Sequence, residues 1–99
     1  MNNEFFVIAK FTAKEDQIDN LHTALHSLLK PTRKEADCLS YNLYVGIDNP
    51  RVFTMVEKFK SKEAAEFHCQ QPYLIEFIGS LEKLTDAVSV EFYHSAETR

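Results

Sequence analysis

Tryptophan is absent from the sequence, and glycine occurs only twice. Two glycines are too few to build a phosphate-cradling loop, which needs several close together. Cysteine is also scarce: Cys38 and Cys69 have no metal-type spacing and cannot form a disulfide framework. They read instead as reduced thiols of a cytoplasmic protein. No apolar run approaches the ~18 residues that would span a bilayer. The start, MNNEFF, lacks the basic segment and apolar stretch of a secretion leader. Lys and Arg number 11 against 15 Asp and Glu, a net charge of −4, and the signs are interleaved. Without a basic stripe, nucleic acid is not an expected partner. No Ser-His-Asp arrangement can be read from spacing.

What remains is an ordinary globular composition, 44% hydrophobic and 26% charged, over 99 residues. That length predicts one domain, residues 1–99. A domain of this size buries only roughly 60–65% of its unfolded surface, so a large cavity is hard to sustain alone. Small domains with pockets often borrow a wall from a second subunit.

Glu4 to Ala13 is rich in aromatic and β-branched residues and predicts a first strand. Phe5, Val7, Ala9 and Phe11 share one face; Phe6, Ile8 and Lys10 share the other. From about Lys14 to Thr32 the period becomes helical, with Ile18, Leu21, Leu25, Leu28 and Leu29 on one stripe and Pro31 as the terminator. Thr12 and Glu15 suit a capping box, unless the strand absorbs Thr12. Cys38–Ile47 and Arg51–Phe59 alternate as two strands around the turn Asp48-Asn49-Pro50. On the third strand Phe53, Met55, Glu57 and Phe59 share a face. Ser61 is a candidate N-cap for a short helix to about Gln70, and Pro72 suits the first turn of another. Ala87–His94 alternates as a fourth strand. The order β-α-β-β-α-β is ferredoxin-like, an α+β fold with helices on one face of an antiparallel sheet. The opposite face is also apolar, and homodimerisation through it is the simplest cover.

The helix after Ser61 places His68 one turn beyond Ala64 and Ala65, with Phe67 taken as a sign that this side faces the core. Glu57 points into the same space, and a carboxylate there needs a partner. A Glu57–His68 pair under small residues has two readings: a base working near neutral pH, or a structural tie between helix and strand. Tyr41, Tyr44, Tyr73 and Tyr93 are candidate acids or amphipathic filler. Asn42 can orient a substrate oxygen or face solvent. Arg33 can meet an anionic ligand or stay solvated. His22 and His26 have metal-competent i, i+4 spacing but no evident third ligand beyond Asp19, so no metal site is predicted.

Thr32-Arg33, Glu35, Cys38 and Tyr41, then Glu57 with Phe59, Ser61, Glu63-Ala64, His68 and Pro72-Tyr73 form a pattern. It resembles that of the antibiotic biosynthesis monooxygenase family, and it spans nearly the whole chain. Asp37 replaces the usual glycine before the cysteine, and Lys58-Phe59 replaces a usual tryptophan. The haem-degrading branch uses a strand-one Asn, a Trp and a His. The body of strand one has no Asn and the chain no Trp, which argues against haem degradation. The resemblance implies a dimeric α+β barrel with a pocket between sheet and helices. It also implies cofactor-independent oxygenation of a small quinol-like aromatic. His68 and Glu57 would act in catalysis, and Asn42, Tyr44, Phe53, Met55, Tyr73 and Arg33 would contact substrate. FHCQQPY, Phe67 to Tyr73, also looks like relatives that process a phosphorylated autoinducer by enediol-type proton transfer. For that chemistry Arg33 and Lys10 are the candidate cations. A non-catalytic dimeric binding module, its pocket filled by Phe53, Met55 and Phe59, is the remaining alternative.

Overall fold

A computed structural model describes residues 3–97. Met1 and Asn2, part of the stretch read for a leader, lie outside the described residues. The elements are β1 (Phe5–Ala13), α1 (Ile18–His26), α2 (Leu29–Arg33), β2 (Cys38–Val45), β3 (Val52–Phe59), α3 (Lys62–Cys69), α4 (Pro72–Leu84) and β4 (Thr85–Tyr93). The sheet is antiparallel throughout, in the order β2-β3-β1-β4. This is the ferredoxin-like arrangement, with the second helical segment broken where Gln71-Pro72 predicts.

The first helical segment is broken too, which the periodicity does not reveal. A continuous helix would need residue 31 to donate its N–H to the carbonyl of Ser27. Proline has no N–H, and its ring excludes that carbonyl. The effect therefore appears one turn upstream of Pro31: α1 ends at His26, and the Ser27 hydroxyl donates to the Ala24 carbonyl at 2.6 Å. Pro31 itself sits inside α2, in the first turn, where its missing donor has no intrahelical acceptor anyway. Thr12 belongs to β1, and Gln17 precedes α1 in place of a capping box.

Alternation sorts the sheet faces as read from the sequence. Val7, Ala9, Phe11, Phe53, Met55, Glu57 and Phe59 are buried toward the helices. Leu21, Leu25 and Leu28 of the first helical segment, with Leu74 and Phe77 of α4, pack down on that face. Phe11 and Phe77 meet edge to face at 5.5 Å between ring centres. On the opposite face Phe6, Ile8, Val52, Thr54 and Val56 are half-buried although no helix covers them. Strand β2 departs from simple alternation. Its register shifts between Cys38 and Ser40, and Leu39 within the irregularity is exposed.

Two local devices hold the ends of the sheet. In the β2–β3 connection, a side chain at Gly46 would place its Cβ 2.7 Å from the Asn49 carbonyl oxygen, so glycine is required there. Arg51 donates to the Ala13 carbonyl at 2.8 Å and to Asp86 at 2.5 Å, which joins the start of β3 to β1 and β4.

Candidate active site

The site begins with the capping of α3. Ser61 is extended, and its Oγ accepts the Ala64 N–H at 3.1 Å. From that start Ala64, Ala65 and His68 turn toward the sheet and are buried. Phe67 turns the other way and is 54% exposed, so it does not mark the core side as predicted. The small alanines let the imidazole sit close over β2 and β3. Its ring lies 5.3 Å from the Tyr41 ring, edge-on, and 5.3 Å from the Phe59 ring.

His68 is not paired with Glu57. Its Nδ1 lies 2.8 Å from Oε2 of Glu35, and both side chains are almost fully buried, at 4% and 6% exposure. The Tyr73 hydroxyl donates to the same Glu35 oxygen. Three elements thus converge on one carboxylate oxygen: α3 through His68, the α2–β2 connection through Glu35, and the first turn of α4 through Tyr73. Pro72 sets the last of these, because it restarts the helix just after the extended Gln71. A carboxylate only accepts, so Nδ1 carries the proton of the shared bond, and Nε2 is the ring nitrogen left to the hollow that the ring lines.

That hollow has a volume of about 1000 Å³ and lies between the helix-side face of the sheet and α3–α4. Glu57 opens onto it from β3, across the ladder from Tyr41 and Val7. No hydrogen bond joins Glu57 to another side chain among the described residues. Burial, and secondarily the nearby Glu35 carboxylate, pushes its pKa up to about 8. At neutral pH Glu57 is therefore mainly a neutral acid. His68 and Glu57 thus line the same cavity. Met55 and Phe59 line this hollow without filling it.

A second hollow of about 550 Å³ lies on the other side of the cluster, lined by Glu35, Tyr73, Cys38 and Phe67 among others. Burial raises the Cys38 thiol to about 11, helped by Glu35 and Glu57, so it is a poor nucleophile. Burial is also the first cause of upward shifts at Tyr41, followed by Glu57, and at Tyr73, followed by its bond to Glu35. Both phenols stay protonated, and the Tyr73 hydroxyl is the donor to Glu35.

The other sequence candidates are placed elsewhere. Arg33 donates to the Tyr41 carbonyl at 3.0 Å and to Asn42 Oδ1 at 3.1 Å, so the two residues satisfy each other outside the cavity. Tyr44 is 56% exposed and lies on the face away from the helices. Lys10 is exposed on that same face. Phe53 is buried in the core, stacked on His22 at 5.4 Å, and is not part of the cavity wall. His22 and His26 meet edge to face, and no group of three or more His, Cys, Asp or Glu is placed to hold a metal among the described residues. Met55 does line the large cavity, and Tyr73 lines the smaller hollow. Glu35 is the residue that side-chain patterning missed. It lies in an irregular connection, where no period reports orientation; its place in the motif was the only signal.

Fold and site together define a ferredoxin-like domain with a helix-side cavity and a carboxylate-held histidine in its wall. The family model for antibiotic biosynthesis monooxygenase matches residues 4–80, and the chain belongs to that family. It is 31% identical over 91 residues to Rv0793 of Mycobacterium tuberculosis, a protein provisionally described as a monooxygenase; the match covers 91% of this chain and 89% of the relative. The crystal structure of SO0527 from Shewanella oneidensis superposes with a TM-score of 0.93 at 34% identity, covering 96% of this chain and 93% of that one. The uncharacterised protein sll1783 of Synechocystis is 27% identical over 94 residues, 94% of this chain. The chain spans only 64% of that relative's length. No helix among the described residues is long and apolar enough to cross a membrane.

Proposed function

We propose that the protein is a monooxygenase that acts on a hydroxylated, quinol-like aromatic without a cofactor. The observation that carries this is the buried His68–Glu35 pair in the wall of an apolar cavity, with the neutral Glu57 facing the same space. His68 Nε2 takes the phenolic proton, and Glu35 steadies the imidazolium that forms. Glu57 donates to the resulting oxyanion. The electron-rich ring carbon bonds to O₂, giving a peroxide. The peroxide recovers a proton from His68, the carbon loses its own hydrogen, and the O–O bond breaks. A carbonyl and one water result. Oxygen uptake with a panel of quinols and anthrones tests the reaction. His68→Ala should abolish most of it, and full activity in that variant would remove His68 from the mechanism.

One further observation favours a second reaction. Lys62 lines the cavity, a cation in the position that neither Arg33 nor Lys10 occupies. Base, donor and cation would also serve enolisation of a small phosphorylated substrate. Turnover under strict anaerobiosis selects that reading; dependence on O₂ selects the first.

The half-buried apolar face of Phe6, Ile8, Val52 and Val56 fits pairing with a second copy, sheet against sheet, as a homodimer in the cytoplasm. Sizing at micromolar concentration tests it, and a well-folded monomer would contradict it.

A further inference from the structure

The polar groups of the large cavity are confined to one end. Glu57 stands opposite Val7 on β1, and His68 packs on Phe59 and Tyr41 at that same end. From Val7 the cavity continues past Ala9 to Phe11, four residues further along the strand. At about 3.3 Å per residue that is roughly 13 Å. Along this length the neighbouring β4 contributes Phe92, Val90 and Val88, each in register with a β1 residue of the wall and each lining the cavity. These three are 63%, 49% and 42% exposed. A row of apolar side chains turned into a cavity yet open to water gains free energy only when something apolar lies over it. A compact, fully polar ligand held at His68 would leave that row wet.

We propose that the site takes an amphiphilic substrate: a hydroxylated aromatic head at His68 and Glu57, carrying an apolar extension of roughly 13 Å that lies along β1 beneath α4 and against β4. The identity of the head rests on the function proposed above; the extension rests on the shape and lining of the cavity. The small quinol-like aromatic expected from the sequence would then be the head of a longer molecule. Ala9 keeps the middle of the path open, since its methyl is the smallest side chain between the polar end and Phe11. Val90 lies beside it on β4, on the same face of the sheet.

The test is binding, which needs no turnover. Dissociation constants for 4-propylphenol and 4-decylphenol are measured by calorimetry below the aggregation limit of each. Each buried methylene is worth a factor of about four, so the longer phenol should bind at least about 100-fold tighter. Ala9→Phe, and independently Val90→Asp, should bring that ratio close to one. Val90 is half exposed, so its replacement keeps the test available if the Ala9 variant does not fold. Equal affinity for the two phenols would overturn the proposal, as would a long-chain preference that survives both substitutions. Rapid turnover of a short quinol with no gain from the chain would sink the extension and leave the oxygenase reading standing. Tight long-chain binding with no oxygen uptake would do the reverse.

Discussion

His68 Nδ1 and Glu35 Oε2 lie 2.8 Å apart, both almost completely buried, in a contact that ties α3 to the connection between α2 and β2. Glu57 is the more obvious carboxylate because it alternates with Phe53, Met55 and Phe59, but it faces open cavity instead. In the proposed reaction the two carboxylates therefore do different work: Glu35 orients the imidazole, and Glu57 presents a proton.

Glu35→Gln keeps the shape of the side chain but presents an amide in place of an acceptor-only carboxylate. The imidazole loses its fixed tautomer. Partners of this kind are typically worth 10–100-fold in activity. Oxygen uptake should fall by about that factor in kcat with little change in KM, because Glu35 does not line the substrate cavity. An equal rise in KM would mean that Glu35 acts on binding instead.

Tyr73→Phe removes one of the two donors on Glu35 Oε2 and nothing from the cavity wall. The bond is worth about 1 kcal/mol in stability, read from the urea midpoint. Activity should fall less than in Glu35→Gln, since the His68 contact remains. A larger fall would show that Tyr73 itself holds the pair together.

Glu57 makes stability depend on pH, and the sign follows from its raised pKa. Between its ordinary value near 4.5 and about 8, the folded protein keeps a proton on Glu57 that the unfolded chain has released. Folding is therefore favoured most below the lower value and weakens as pH rises through the window, by up to about 1.4 kcal/mol per pH unit. Denaturation midpoints should fall between pH 5 and pH 8, a loss of order a few kcal/mol. Glu57→Gln should flatten that slope, and a slope unchanged by the substitution would place its origin elsewhere.

Ser61→Ala removes the N-cap of α3, a loss of about 1 kcal/mol. Because His68 rides on that short helix, the variant should also lose activity beyond what its stability explains, measured well below its melting temperature. Unchanged kcat would mean that the Glu35 and Tyr73 contacts alone are enough to hold the imidazole.

Much of this molecule could be read from spacing. The period of two in Phe5–Phe11 and Phe53–Phe59, the helical stripe from Ile18 to Leu29, and Pro72 after Gln71 give the order of elements. They also group the side chains that share a face in β1 and β3. These are local properties, set by backbone geometry and by which side chains leave water. Long-range placement was not legible in the same way. Glu35 and Tyr73 are separated by 38 positions in the chain and meet only because α4 restarts beside the α2–β2 connection. Arg33 and Asn42, read as possible ligand contacts, satisfy each other because β2 brings them together. Hydrogen bonds between irregular segments leave no period in a sequence. The partner of a buried histidine was decided by how those segments pack, and with it which carboxylate keeps its proton.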